Sequence, residues 1–254
     1  MTINLGQLTR EKVKELAPNS LVILPIGAIE QHGPHLPLYT DYYIVKHISK
    51  QVCERLKGHI SPFICPVLPY GNSHHHFPEP TLSLTSHTFI RVIKDLVDSL
   101  VKCGFKKIVL LNSHGGNDEA IRIVARDAAR EHDISIAAAS YWTIAWDALL
   151  NLYNEEGISI GGVPGHAGGF ETSLMLALDD QFVNMESRPP LRNDELPKKD
   201  IKERFYIQRH GNSVGDKGYS DDARNASRSL GEKTFDIIVE EVAKSVLDFF
   251  SSHR

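Results

Sequence analysis

The stretch LVILPIGAIEQHGPHLPLYTD, residues 21–41, decides the fold class of this chain and contains its first reactive side chains. Residues 21–25 form a short, continuous apolar run, which is typical of a strand buried on both faces of a parallel sheet. Residues 41–56 then have the pattern of a helix, with Asp41 at the N-terminus, where a carboxylate is favoured. The stretch therefore predicts a strand, a polar turn and a helix in succession.

The same alternation of strand and helix continues along the first half of the chain. Strand-like runs recur at residues 63–68, 108–111 and 134–140. Apolar residues at helical spacing between positions 89 and 101 stop at Gly104, and Asn117 can cap a helix that runs to about Arg130. This pattern predicts an α/β fold with a mostly parallel sheet and helices on both faces. In such sheets, ligands bind at the carboxyl ends of the strands.

The second half of the chain is less regular. Residues 184–228 are polar and rich in Pro, Gly and charge, which predicts a long loop region that serves as a lid or a subunit contact. Residues 235–249 carry the apolar stripe of a C-terminal helix. Because no boundary divides the chain, we predict a single domain over residues 1–254.

Composition excludes several classes of function. The chain is 41% hydrophobic and 24% charged, which is the range of ordinary globular proteins. Its net charge of -4 and the lack of a basic stripe argue against nucleic acid as a partner. No run of about 18 apolar residues occurs and residues 1–10 are polar, so we expect a cytoplasmic protein without a membrane segment.

The three cysteines are scattered along the chain and form no CxxC pair. This pattern predicts buried, reduced thiols rather than a disulfide framework or a thiolate zinc site. The three residues are Cys53, Cys65 and Cys103. Any metal ion must therefore be held by histidines and carboxylates.

Three polar segments follow or begin the predicted elements, and the first is the turn after residue 26. Glu30 and His32 lie two residues apart, so an extended backbone places both side chains on the same side. Asp41 opens the next helix and can face back towards them. The alternative is an ordinary solvated turn, since Gly, Pro and His are common in turns.

The second segment, residues 112–117, reads Asn-Ser-His-Gly-Gly-Asn. His114 lies at the carboxyl end of a predicted strand, and Gly115 and Gly116 allow the backbone to approach a ligand closely. The start of the following helix favours anionic groups. A phosphate- or nucleotide-binding domain is an alternative, but the chain lacks a GxGxxG fingerprint and a Walker lysine.

The third segment, residues 165–174, surrounds His166 with small residues and leads Glu171 into an apolar helix. Burial of a carboxylate in such a helix is costly unless the group is paired or bound to a metal. The alternative is a glutamate that is favoured only by the helix dipole.

Together the three segments supply two histidines and three carboxylates to one sheet edge. The candidate ligands are Glu30, His32, Asp41, His114 and Glu171. Nitrogen and oxygen ligands of this kind suit Zn²⁺, Mn²⁺ or Fe²⁺. An aspartate can bridge two such ions about 3.5–4 Å apart, and a water between them becomes a nucleophile near neutral pH. The set predicts a metal-dependent hydrolase.

These three motifs carry a resemblance to a known family, and two of them carry its most specific strings. The string PIGAIEQHGPH at residues 25–35, and HAGG before ETSLM at residues 166–175, resemble the creatininase (creatinine amidohydrolase) family. The likeness extends from residue 24 to about residue 178, and weakly into residues 215–232. It implies a three-layer α/β/α fold and a metal-dependent amidohydrolase that acts on C–N bonds other than ordinary peptide bonds, commonly assembled as a homo-hexamer.

The resemblance also implies a role for each ligand. Glu30, Asp41 and His114 would hold one divalent ion, and His32 with the bridging Asp41 would hold the other. Glu171 completes the second set, as in family members that share the Gly-Gly turn. Each chain would then bind two ions of Zn, Mn or Fe.

The resemblance further implies the residues that act on substrate. His166 matches the catalytic histidine of the family, which donates a proton to the leaving nitrogen, and Glu171 belongs to the same catalytic group. Trp142 matches an aromatic residue of the family's pocket. The histidine run at positions 74–76 either lines the pocket or forms a solvated loop, and His76 is best placed for function.

The chain departs from the creatinine-hydrolysing members at the substrate pocket. They have a glutamate where this chain has Gly116, and a Trp and a Glu where this chain has Gly162 and Gly165. We therefore expect a small-molecule amide, formamide or cyclic amide as substrate, rather than creatinine. The family also contains pyrimidine deformylases and peptidases, so a peptidase that trims a short modified peptide in cofactor biosynthesis is an alternative. A non-catalytic, metal-stabilised scaffold is another.

Overall fold

A computed structural model describes residues 4–158, 165–188, 218–220 and 222–252. Most of the predicted loop at residues 184–228 and also Gly162 lie outside the described residues. Four parallel strands form one sheet in the order β2-β1-β3-β4. The strands are β1 (Leu21–Ile26), β2 (Pro62–Ile64), β3 (Lys107–Asn112) and β4 (Ser135–Ser140). The predicted parallel α/β sheet is confirmed.

Helices cover both faces of this sheet. They are α1 (Arg10–Leu16), α2 (Thr40–Leu56), α3 (Ser86–Lys102), α4 (Asp118–Glu131), α5 (Tyr141–Glu155), α6 (Gly169–Asp179) and α7 (Arg228–Ser252). The predicted C-terminal helix is thus confirmed as part of α7. Within the described ranges, no helix combines the length and the apolar character that crossing a membrane requires.

The side chains of β1 divide the core into two layers. Leu21 and Ile23 belong to an apolar cluster with α2, α5, α6 and α7. Val22 and Leu24 point to the opposite face and belong to a second cluster with α3 and α4. Because β1 is buried along its whole length, both faces of the sheet are covered. The result is the three-layer α/β/α arrangement.

Two details differ from the prediction. Strand β2 ends at Ile64 instead of extending to residue 68. The N–H of Cys65 still donates to the carbonyl of Ile23, and the pairing with β1 then shifts by one residue at a bulge that contains Pro66. Pairing resumes at Leu68, whose N–H donates to the carbonyl of Pro25. Cys103 is exposed, since it lies at the end of α3, whereas the other two cysteines are buried as predicted.

The approach of α2 to the end of β1 positions the polar turn. A Cβ atom at Gly27 would lie 2.8 Å from the Cα atom of Tyr42, so only glycine permits this contact. The first turn of α2 therefore lies against the strand end, and Asp41 faces the turn that follows β1.

Candidate metal centre

Side chains from three loops meet at the carboxyl ends of β1 and β3. Glu30 comes from the turn after β1, Asp41 from the first turn of α2, and His114 from the residues after β3. His114 Nδ1 lies 3.0 Å from Glu30 Oε1 and 3.5 Å from Asp41 Oδ2. The three potential ligand atoms lie within 4.8 Å of one another.

A second group shares one member with the first. His32 Nε2 lies 3.7 Å from Asp41 Oδ1 and 3.8 Å from Glu171 Oε1. These three residues also offer ligand atoms within 4.8 Å of one another. Asp41 thus directs one oxygen to each group, which is the position of a bridging carboxylate.

The atoms that face this space are buried and lack ordinary partners. Glu30 and His32 are 0% exposed and Asp41 is 2% exposed. Both oxygens of Glu30, Nε2 of His32 and Oδ2 of Asp41 have no partner with hydrogen-bond geometry. Each such buried group costs about 1–3 kcal/mol when it is left unsatisfied. Divalent cations fit these residues, since they bind carboxylate oxygens and imidazole nitrogens at these atoms.

The second nitrogen of each histidine is fixed by a main-chain carbonyl. His32 Nδ1 lies 3.1 Å from the carbonyl oxygen of Glu30, and His114 Nε2 lies 3.0 Å from that of Asn72. A carbonyl only accepts hydrogen bonds, so these ring nitrogens carry the protons. The opposite nitrogens face the carboxylates, which is the arrangement of histidines that bind metals.

Charge within the cluster shifts the pKa of its members. Burial alone lowers the pKa of His32, but the carboxylates of Glu171 and Asp41 outweigh it and raise the pKa well above its usual value. In His114 the opposing effect of burial is overcome in the same way by Glu30 and Asp41, so its pKa is also raised. Burial opposes ionisation of Glu30, yet His114 and His76 hold its pKa well below the usual value. Protons and metal ions therefore compete for the same nitrogens.

Glu171 is held by the residues just before α6. The N–H of Ala167 donates to Glu171 Oε2 over 2.6 Å, which leaves Oε1 directed at His32. Ala167 has a φ angle of 52°, a left-handed conformation that costs free energy for a residue with a side chain. The prediction that a glutamate enters the apolar helix here is confirmed, and this glutamate faces the cluster.

A buried polar network holds the loop that carries His114. The side chain of Asn112 accepts from the N–H of His114 and donates to its carbonyl. Asn117 precedes α4, as predicted, but its side chain does not cap the helix. It donates instead to the carbonyl of Gly27 and to Asn112, because these buried acceptors need a donor. The network ties the ends of β1 and β3 together.

His166 lies beside both groups of candidate ligands. Its Nδ1 atom is 3.7 Å from Glu30 Oε1, and its ring centroid is 4.3 Å from that of His32. Burial and the neighbouring His32 hold the pKa of His166 well below its usual value. The ring is therefore a neutral base that faces the carboxylate cluster.

The remaining predicted residues occupy different positions. His76 is 1% exposed and its Nε2 atom lies 3.1 Å from Glu30 Oε1, so this histidine is not part of a solvated loop, whereas His74 is exposed. Trp142 packs edge-on against Tyr141 and against the apolar core. Its role in substrate binding stays a prediction.

The two glycines after His114 differ in the space that is available for a side chain. A Cβ at Gly116 would lie 2.3 Å from the carbonyl oxygen of Asn72 and 2.5 Å from His114 Nε2, whereas nothing lies within 4 Å of a Cβ at Gly115. The structure therefore leaves no room for a side chain at position 116.

Two buried residues of the site were not predicted. Gln31 lies between two predicted ligands and bonds the rings of His76 and His166. His35 is linked by its Nε2 atom to the hydroxyl of Thr172, next to Glu171, and burial lowers the pKa of His35 to about 4. The signal that could have found both is their place inside the polar turn, close in sequence to the candidate ligands Glu30 and His32.

The three-layer fold and the buried carboxylate–histidine cluster at the sheet edge define a metal-dependent hydrolase. The family model "Creatininase: Creatinine amidohydrolase" matches residues 6–246. The chain belongs to the creatininase family. As a member, it is a metal-dependent amidohydrolase, an enzyme that cleaves C–N bonds.

Individual relatives agree with this assignment. The creatinine amidohydrolase of Pseudomonas putida is 29% identical over 98% of both chains. A mycofactocin precursor peptide peptidase of Mycobacterium ulcerans is 29% identical over 70% of this chain and 66% of its own. A 2-amino-5-formylamino-6-ribosylaminopyrimidin-4(3H)-one 5'-monophosphate deformylase of Methanococcus maripaludis is 28% identical over 48% of this chain and 53% of its own.

Solved structures match the fold over nearly the whole chain. A crystal structure of creatinine amidohydrolase superimposes with a TM-score of 0.81 at 28% identity, and the match covers 98% of each chain. Two other matching creatininase structures are described as Mn and as Zn-Zn type.

Proposed function

We propose that this chain hydrolyses an amide-type C–N bond of a small molecule at a site that holds two divalent cations. One observation carries the proposal: the two oxygens of Asp41 face separate ligand groups, with His114 Nδ1 3.5 Å from Oδ2 and His32 Nε2 3.7 Å from Oδ1. A bridging ligand must direct one oxygen to each of two metal ions, and the two oxygens of this carboxylate face two separate groups of buried atoms that lack hydrogen-bond partners.

Each cation would have its own set of ligands. Glu30, Asp41 and His114 would hold one, and His32, Asp41 and Glu171 would hold the other. When bound, the ions supply Lewis acidity, which polarises a carbonyl oxygen and lowers the pKa of water. Zinc and manganese are named for solved creatininases, and iron suits the same nitrogen and oxygen donors.

The residues around the ions would orient the substrate and move its proton. His166 is neutral because its pKa is lowered, so its Nδ1 atom accepts a proton from the attacking water. The same atom then delivers this proton to the departing nitrogen, which would otherwise leave as an unstable amine anion. Glu171 keeps one oxygen towards His32 while the other is held by the Ala167 N–H.

The Gly115-Gly116 turn favours a substrate other than creatinine. The creatinine-hydrolysing members place a glutamate where this chain has Gly116, and a side chain at this position would collide with Asn72 and His114. We therefore propose an amide, formamide or cyclic amide as the substrate class. Gly115 and Gly116 would let such a substrate approach the main chain next to His114.

The test is the metal content of the purified full-length chain, followed by a substrate screen. Plasma mass spectrometry should give about two ions of Zn, Mn or Fe per chain. Turnover should then appear with formamides or cyclic amides and be weak with creatinine. A chain that binds no ions after incubation with all three metals would refute the proposal.

Two alternatives are less supported. A peptidase acting on a short modified peptide is the activity named for one group of relatives, but the family model is that of an amidohydrolase. A non-catalytic scaffold does not explain why a neutral histidine, His166, faces the ligand cluster. The single domain, the cytoplasmic location and the homo-oligomeric state, a hexamer by analogy, stay predictions.

A further inference from the structure

The side chain of Gln31 is fixed in one orientation between the predicted ligands. It is 6% exposed, and its Oε1 atom accepts a hydrogen bond from the N–H of Gly33 over 3.0 Å. An N–H group can only donate, so the oxygen and nitrogen of this amide are assigned by the contact. The amide nitrogen consequently faces the opposite way, towards two imidazole rings.

The amide nitrogen sets the proton position on His76. Gln31 Nε2 lies 2.8 Å from His76 Nδ1. Because an amide NH₂ has only hydrogens to offer, His76 Nδ1 must be the bare, accepting nitrogen. The proton of this ring therefore lies on Nε2, which is 3.1 Å from Glu30 Oε1. His76 thus presents an N–H, not a lone pair, to this carboxylate.

The same residue contacts one nitrogen of His166 from two sides. His166 Nε2 lies 2.7 Å from the main-chain oxygen of Gln31 and 2.9 Å from its amide nitrogen. The oxygen is a partner when Nε2 carries a proton, and the amide is a partner when Nε2 is bare. Both neutral forms of the ring are therefore satisfied without a movement of the ring.

Residues 218–220 pack against Gln31 and His166. Gly218 has a φ angle of 72°, and a Cβ there would lie 2.2 Å from Gln31 Oε1. Ser220 Oγ accepts from the N–H of His166 over 2.6 Å, and the N–H of Ser220 donates to the carbonyl of His166. Ser220 thus holds the main chain of His166, and Gly218 packs directly against the amide oxygen of Gln31.

We propose that Gln31 is the positioning residue that places the proton of His76 on Nε2 and holds the ring of His166 in a fixed position. It turns the protonated Nε2 of His76 towards Glu30, and its main-chain oxygen and its amide nitrogen both lie against Nε2 of His166. The proton placement stands on the contacts alone, and only its consequence for turnover rests on the proposed function.

The experiment measures which ring nitrogen of each histidine carries the proton. The zinc-loaded, full-length chain is labelled with ¹⁵N-histidine, and two-bond ¹⁵N–¹H spectra distinguish bare from protonated nitrogens. His76→Gln and His166→Gln variants assign the two rings by loss of signal. We expect His76 Nδ1 to be bare in the unmodified protein. In Gln31→Glu, whose carboxylate only accepts, Nδ1 should become protonated.

A matched variant and a second substitution control the result. Gln51→Glu makes the same change at an exposed position of α2 and should leave both rings as they were. Gln31→Met removes the donor without adding charge, and we expect His76 to populate both neutral forms. If Gln31→Glu does not fold, this second variant decides the question. A protonated His76 Nδ1 in the unmodified protein, or an unchanged ring in a folded Gln31 variant, would overturn the proposal.

Once a substrate has been identified, kinetic constants give an independent test of the positioning role of Gln31. Partners that orient residues of a metal site typically change activity by about 10–100-fold. We expect Gln31→Met to lower kcat within this range and to leave KM and metal content almost unchanged. A rise in KM alone would show that Gln31 binds substrate instead. If no amide is turned over, the proposed function fails, but the nitrogen spectra still test the positioning role.

Discussion

The described part of the chain contains two places where several ligand-type side chains meet, and they differ in whether they have the properties of a metal centre. The first is the buried cluster around Asp41. The second, the surface cluster of Asp98, Glu131 and His132, also has ligand atoms within 4.8 Å of one another. There His132 Nε2 lies 2.8 Å from Asp98 Oδ1, and the ammonium of Lys94 contacts both acids. Proximity alone therefore does not define the site.

The difference lies in burial and in unsatisfied atoms. Side chains of the surface cluster are 25–51% exposed, so water and Lys94 already satisfy them. The buried cluster is shielded from solvent, and no lysine or arginine of the described residues forms an ion pair with it. Its oxygen and nitrogen atoms lack hydrogen-bond geometry with one another. A cation fits where the protein provides negative charge and no other partner.

The largest expected effect comes from Asp41→Asn. The amide removes the negative charge that serves both ligand groups, so we expect the metal content to fall from about two ions per chain to one or none, with loss of activity. Plasma mass spectrometry on the purified variant measures this. The matched control is Asp98→Asn in the surface cluster, which should retain the full metal content. Full occupancy and full rate in the Asp41 variant would contradict the two-metal site.

Replacement of His166 by Ala should separate chemistry from metal binding. We expect the metal content to remain and kcat to fall by about 10²–10⁴-fold, as for a lost general acid–base. His132→Ala, which alters a histidine of the surface cluster, serves as the control and should leave kcat unchanged. Loss of metal in the His166 variant would mean that this histidine is a ligand, a role its place near Glu30 and His32 also permits.

Zinc binding should release protons from the buried cluster. The pKa values of His32 and His114 are raised well above their usual value, so both rings are protonated near pH 7 in the metal-free protein. Binding should release about two protons per chain, measured by titration calorimetry in buffers of different ionisation enthalpy. The release should shrink, and zinc affinity should rise, as the pH rises through these raised pKa values. Equal heats in all buffers would contradict this.

The same two histidines give the metal-free protein a defined pH dependence. A histidine whose pKa is higher in the folded than in the unfolded state stabilises the fold. This contribution to the free energy of unfolding is fully present at pH values below the pKa of the unfolded state, near 6.5. That contribution is lost as the pH rises through the folded pKa. Thermal unfolding of the metal-free chain should therefore show falling stability on the alkaline side, whereas the zinc-loaded chain should not lose stability there.

Sequence patterns predicted most of the fold because its strands are short apolar runs with few other interpretations. Residues 21–25 and 108–111 correspond closely to β1 and β3. The prediction of one strand over residues 63–68 was wrong beyond Ile64, since a proline interrupts a sequence that otherwise has strand composition. Cys103 was expected to be buried from its helical spacing, but it lies just past the last turn of α3.

That the candidate ligands meet at one sheet edge was also predictable, because each of them follows a strand or begins a helix. The positioning residues were not, since their roles depend on distances between segments far apart in the chain. Gln31 acquires its role only when residues 76 and 166 arrive beside it. No local spacing encodes that arrangement. The crowding at Gly116 likewise depends on Asn72, which lies more than forty residues earlier in the sequence.

The two neighbouring glycines offer a sharper test of the buried cluster. A Cβ at Gly116 would press on Asn72 and on the ring of His114, so Gly116→Ala should cost about 1–3 kcal/mol of stability and weaken zinc binding. Gly115→Ala, with open space around its Cβ, should change stability by less than about 1 kcal/mol. Denaturant unfolding and metal analysis compare the pair. Equal behaviour of both variants would show that the loop relaxes freely.

The smallest effect is expected from Lys94→Met in the surface cluster. Exposed ion pairs contribute about 0–1 kcal/mol, so the free energy of unfolding should change by no more than this. The variant also removes the ammonium that contacts Asp98 and Glu131. If exposure keeps metal away from these side chains, the zinc content should stay at the value of the unmodified chain. A third ion in this variant would instead mean that Lys94 alone excludes a cation, and that burial matters less than local charge in separating the two clusters.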